Sequence, residues 1–174
     1  PAPEAYEFRR IVADRDDLRQ IDLAVTVSAP TDTQPADPAG LIMDVLYGGS
    51  LVRRRMASTR RFGLSVALPT ALDRGATHEF ALRFRLPDGE ALQPHFVCAT
   101  EQRCDLMDVR VKFAEKRPPP AVWLVTRVFQ GEAQDPAHRA EVVPLDAANE
   151  VHVRFHRPEA GFAYGVQWDE DEAG

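Results

Sequence analysis

Helical periodicity is the most conspicuous absence from this chain. Outside single turns such as 69–74 or 145–149, no stretch of the 174 residues repeats apolar side chains at the spacing of an amphipathic helix, which argues against helical bundles and alternating α/β folds. Apolar runs stay well short of the ~18 residues that a membrane helix needs, and no charged-then-apolar leader opens the chain. Cysteine is scarce: Cys98 and Cys104 are too few for a disulfide scaffold of the small secreted type, and they point to the cytosol. Lysine is scarcer than arginine, with only Lys112 and Lys116 among 21 basic residues, a bias that we read as coding in a GC-rich genome. Net charge is -6, so the long-range field opposes indiscriminate binding to nucleic acid or to an anionic membrane. Neither a Walker pattern nor a dinucleotide fingerprint is present.

What the chain does have is alternation. Val151, Val153 and Phe155 interleave with His152, Arg154 and His156; beyond a turn at 157–161, Phe162, Tyr164, Val166 and Trp168 interleave with Ala163, Gly165 and Gln167. Successive strand side chains point to opposite sheet faces, so each segment predicts one face on a core and one small or polar face toward water, and the two together predict a terminal hairpin. Tyr6 to Ala13 and Leu18 to Ser28 read as a first hairpin around Asp14-Arg15-Asp16-Asp17. A strong pair follows at Phe62, Leu64, Val66, Leu68 and Phe80, Leu82, Phe84, Leu86. Gly48-Gly49 and Pro87-Asp88-Gly89 signal tight turns. Pro94 confines the strand after it to an edge or to a start beyond the proline, and the phase of Leu106, Val109, Val111 and Phe113 slips near Met107 and Asp108 as a bulge requires.

These segments predict an all-β fold: an antiparallel two-sheet sandwich of immunoglobulin-like architecture with nine to eleven strands. A chain of this length buries roughly 70% of its unfolded surface, so no metal or disulfide staple is needed. The expectation is one domain over 1–174, with a proline-rich surface loop at 29–40, an inter-sheet connector at Pro118-Pro119-Pro120 and an acidic tail at 169–174. The start at Pro1 without methionine suggests a fragment of a longer protein.

Candidate chemistry is sparse. Gly63-Leu64-Ser65-Val66-Ala67 is like a nucleophile elbow only in part, because the second glycine is missing and Ser65 lies inside a strand instead of at a strand-to-helix turn. His95, Cys98 and Cys104 offer three weak zinc ligands with no assured fourth; reduced thiols or a hairpin disulfide are the alternatives. His152 and His156 flank Arg154 on one strand face, open to a pH-sensing role or simply solvated. Trp123 and Trp168 sit at core positions, with an exposed aromatic shelf for carbohydrate as the alternative. The most unusual polar feature is Arg53, Arg54, Arg55, Arg60 and Arg61 in a stretch from Val45 to Leu72 that holds no acidic residue. Consecutive arginines cannot all point inward, so this segment lies at an edge or runs out as an exposed ribbon. There it either discourages strand pairing or docks an acidic protein surface or small anionic ligand, with nucleic-acid phosphate the weaker alternative.

Tyr6-Glu7-Phe8-Arg9-Arg10, Gln102-Arg103-Cys104-Asp105 with Val109 to Phe113, Val122-Trp123, and Glu150 to Arg154 through Gly165-Val166-Gln167-Trp168 resemble, in order and rough spacing, a domain. It is the uncharacterised domain that follows a helix-turn-helix DNA-binding domain in many actinobacterial regulators. The resemblance implies a sensing or protein-contact module in a cytoplasmic regulator, and it brings no defined functional residues. The chain has no helix-turn-helix of its own, so direct DNA reading by this segment is not expected. The expectation is a non-enzymatic sensing or protein-interaction module without cofactor, nucleic-acid or membrane contact. The alternative is a secreted or cell-surface carbohydrate-binding or adhesion sandwich, which calls for an oxidised Cys98–Cys104 pair and an exposed tryptophan.

Overall fold

The computed structural model describes residues 4–26, 42–56, 61–85, 93–115 and 118–169. The loop expected at 29–40, the turn at Pro87-Asp88-Gly89, Arg60 and the tail beyond Asp169 lie outside them. The described chain is all β, with twelve strands: β1 (Glu4–Val12), β2 (Leu18–Thr26), β3 (Ile42–Tyr47), β4 (Ser50–Met56), β5 (Arg61–Leu72), β6 (Thr77–Arg85), β7 (His95–Ala99), β8 (Leu106–Lys112), β9 (Val122–Val128), β10 (Arg139–Val142), β11 (Glu150–His156) and β12 (Ala163–Trp168). Single 3₁₀ turns occur at Gln130–Glu132 and Pro136–His138, and the 69–72 stretch read as a turn of helix belongs to β5.

The chain divides into two compact units, Pro1–Leu92 and Gln93–Gly174. The triple proline is not the boundary. It joins β8 to β9, which lie in different sheets of the second unit, and that unit gains β7 and β8 from the residues before the prolines.

In the first unit the sheets are β1-β6-β3 and β2-β5-β4, with every pairing antiparallel. The predicted first hairpin therefore does not form. β1 pairs with β6 and β2 with β5, so the turn at 13–17 passes from one sheet to the other as an arch. The turns between β3 and β4 and between β5 and β6 do the same. The orders β2-β5-β4 and β3-β6 match B-E-D and C-F of an immunoglobulin domain, while β1 pairs with β6 and not with β2, so only part of that topology is reproduced. The reason for the arches lies in the side chains: β5 and β6 each carry one row of large apolar residues, and facing those rows across two sheets buries both. Leu64 and Val66 of β5 meet Phe80, Leu82 and Phe84 of β6 in one core. Backbone bonds between Ala13 and both Gly75 and Ala76 tie two arches together. Gly48 makes the third arch feasible, with φ at +78° and room for no Cβ, which would fall 2.1 Å from the Glu79 carbonyl oxygen. Pro69 is accommodated where the β2–β5 ladder breaks register between Leu18 and Gln20.

In the second unit the sheet β10-β9-β12-β7 is joined by a two-stranded ribbon, β11-β8. The terminal pair is likewise not a hairpin, because β11 pairs with β8 while β12 lies between β9 and β7. The core combines Met107 and Val109 of β8, Val151, Val153 and Phe155 of β11, and Tyr164 and Val166 of β12. No bulge interrupts β8: its register against β11 is continuous, Met107 takes the inner position and Leu106 turns outward. β7 begins after Pro94 and is an edge strand among the described residues.

The row of β12 expected to face water is buried as well. Ala163 and Gln167 are 0% and 2% exposed, because the segment carrying the two 3₁₀ turns covers that face. The Gln167 amide donates to the Ala133 and Asp135 carbonyls, and its oxygen accepts from Arg139 Nε at 3.0 Å, so the buried polar group is satisfied. Arg139 also lies 3.9 Å over the Trp123 ring and pairs with Asp169. Gly165 admits β7 at close range, since a Cβ there would fall 2.0 Å from the Phe96 carbonyl oxygen. Gly165→Ala is therefore expected to lower unfolding free energy by about 1–3 kcal/mol through overpacking. Gly131→Ala, which meets nothing within 4 Å, should change it by under about 0.5 kcal/mol. Equal urea midpoints for the two variants would contradict this packing.

Candidate functional site

β4 is an edge strand among the described residues, bonded to β5 alone. Its ladder skips Val52, so that Leu51 faces Val66 and Arg53 faces Ser65. That bulge sets the directions of the arginines that follow. Arg53 and Arg55 lie opposite Ser65 and Gly63, on the sheet face away from the core, while Arg54 lies opposite buried Leu64 and leaves from the other side at the margin. All three are exposed. Gly63 leaves open the space beside Arg55, whose Nε would be 3.7 Å from a Cβ placed there. Arg61 opens β5 opposite Thr26, and Arg60, as noted, lies outside the described residues.

A residue that sequence reading passed over completes this face. Asp22 of β2 stands opposite Ser65 and accepts its hydroxyl at 2.6 Å and the Gln20 amide at 3.1 Å. These hydrogen bonds, then the charge of Arg53 and Arg55, hold the Asp22 carboxyl below the usual carboxylate range. The row Asp22–Ser65–Arg53 thus crosses three strands and sets one carboxylate beside two guanidinium groups, those of Arg53 and Arg55. Asp22 precedes Arg53 by 31 positions, and only the order β2-β5-β4 makes them neighbours. Ser65 serves as a cross-strand donor on a β-strand, not as the apex of an elbow.

The structure does not assemble the zinc candidates. His95 and Cys98 are three residues apart on β7 and so point to opposite faces; Cys98 packs toward the core, and the Cys104 thiol donates to the Leu106 carbonyl at 3.2 Å. Burial pushes the His95 imidazole down from its usual range. Among the described residues no three His, Cys, Asp or Glu side chains converge, and no disulfide links Cys98 to Cys104. Both indoles are half-buried, Trp168 edge-on to Phe113 at 5.2 Å and Trp123 beneath Arg139.

The second polar cluster is on the outer face of the β8–β11 ribbon. Asp108 accepts from His152 Nε2 at 2.8 Å, from Arg154 Nε at 2.9 Å and from Arg110 Nε at 3.3 Å. His156 lies further along the same strand, opposite Leu106, so the two histidines do not meet. Partial burial raises the Asp108 pKa, but the three donors outweigh it and the carboxyl sits below its ordinary range. No protein-family model, curated protein or solved structure matches the chain.

A carboxyl whose pKa is lower folded than unfolded stabilises the fold above the unfolded value, near ~3.9, and that contribution disappears as pH falls through the folded value. Thermal melts across the acid range should therefore show Asp108→Asn losing less stability on acidification than the parent chain. The difference should be no more than about 1 kcal/mol, because water screens this half-exposed cluster. Parallel pH profiles for the two proteins would contradict the role given to Asp108.

Proposed function

We propose that the chain is a non-enzymatic protein-interaction module of a larger cytoplasmic regulatory protein, and that it docks an acidic partner segment along β4. The observation that supports this reading is the bulged edge of β4 carrying exposed Arg53, Arg54 and Arg55, with Asp22 beside Arg53 and Arg55. An extended acidic peptide meets such an edge in two ways, by main-chain hydrogen bonds to the strand and by carboxylates paired with guanidinium forks. The resemblance to the domain that follows helix-turn-helix segments in actinobacterial regulators fits the same role. A small anionic ligand would use the same arginines without the backbone ladder.

The cell-surface carbohydrate reading calls for a Cys98–Cys104 bridge and a solvent-exposed tryptophan, and the described residues offer neither in support. Titrating an oligo-glutamate peptide into the chain should show salt-sensitive binding. Arg53→Glu/Arg54→Glu/Arg55→Glu should weaken it roughly tenfold to a hundredfold, from three exposed ion pairs at about 0.5–1 kcal/mol each. Unchanged affinity in this variant, or tighter binding of duplex DNA than of the peptide, would overturn the assignment.

A further inference from the structure

Among the described residues the two sheets of the first unit have four margins, β1 and β3 in one and β2 and β4 in the other. The ladders of β2, β3 and β4 each break register. That of β1 does not, running nine residues from Glu4 opposite Arg85 to Val12 opposite Thr77. Of the usual means of blunting an edge, the segment Glu-Ala-Tyr-Glu-Phe-Arg-Arg-Ile-Val has no bulge, lysine or proline; its inward charges, Glu7 and Arg9, are paired with each other. Among the described residues β1 bonds only to β6. Its outward row leaves Tyr6 50%, Phe8 68% and Val12 64% exposed, and its core-side row holds the hydrogen-bonded, half-buried pair Glu7 and Arg9.

We infer that β1 is the contact through which two copies of this chain associate, edge to edge and antiparallel, about a two-fold axis at Phe8. The sequence of β1 is complementary to itself in that register. Phe8 faces Phe8 of the second copy, Glu7 faces Arg9 twice, Tyr6 faces Arg10 twice and Ala5 faces Ile11 twice. Each pair is of a kind that stabilises adjacent strands: aromatic with aromatic, opposite charges, ring with guanidinium, apolar with apolar. Sliding by one step of the pleat in either direction, the smallest shift that keeps the same faces together, puts Glu7 on Glu7 or Arg9 on Arg9. Like charges directly opposite one another are destabilising, so the charge pattern selects the register as well as the partner. The product is one continuous sheet with a closed, isologous interface, which cannot propagate into a fibre.

The test is the mass of the full 174-residue chain by light scattering during size-exclusion chromatography. The parent chain should run at twice 19.4 kDa. Glu7→Arg and Arg9→Glu, each giving the circular dichroism of a folded β protein, should run at the single-chain mass, because each places like charges opposite one another. An equimolar mixture of the two restores opposite charges at every position and should return to the double mass, as should the Glu7→Arg/Arg9→Glu double variant. Should either single variant fail to fold, the double variant decides: a dimer supports the inference and a monomer overturns it. A parent chain that stays monomeric, leaving the edge to a different protein, overturns it too. So does a dimer retained by both single variants, or a mixture that stays monomeric.

Discussion

Most strands here have an apolar row that must leave water, and the first unit covers those rows by passing from sheet to sheet at its tight turns. A hairpin would place consecutive apolar rows side by side on one surface, still waiting for a cover. An arch places them face to face. Leu64 and Val66 thereby cover Phe80, Leu82 and Phe84 within one continuous stretch of chain, and the other two arches of the first unit extend the same core with Ile11, Ile21, Leu23, Met43 and Val45. Strand order follows from this choice, and both edges that carry the functional proposals follow from strand order.

The second unit meets the same constraint with a strand buried on both faces. β12 packs Tyr164 and Val166 against the ribbon, while Ala163 and Gln167 lie beneath the segment that carries the 3₁₀ turns. A glycine and an amide are what such a strand can carry there: Gly165 yields space to the Phe96 carbonyl, and Gln167 supplies hydrogen bonds to backbone that would otherwise be buried unsatisfied. Arg139 then closes the arrangement over Trp123. The outer face of the ribbon, by contrast, is polar and knit around Asp108.

The all-β class, most strands and the edge position of β4 were legible in the sequence, because period-two alternation and three consecutive arginines act locally. Partners were not. Asp14 to Asp17 and Gly48-Gly49 mark turns correctly, yet turn residues do not say whether the flanking strands pair with each other or with strands elsewhere. The same gap hid Asp22, which becomes part of the arginine face only through β5. Polar or small residues on β12 looked like a wet face because alternation reports contrast between two faces, not the cover a later segment supplies. At Met107 a second apolar residue beside Leu106 imitated a bulge, and only the ladder to β11 distinguishes the two.

Cross-strand pairing is the claim on which the two edges and their proposed partners rest, and nuclear Overhauser contacts between backbone protons of the labelled chain read it directly. The account predicts contacts linking β1 to β6 around Phe8 and Ala81, β2 to β5 around Ile21 and Val66, and β12 to both β7 and β9, with none between β1 and β2 or between β11 and β12. Contacts joining Ile11 or Val12 to Leu18 and Arg19 in a hairpin ladder, or β11 to β12 across 157–161, would contradict it.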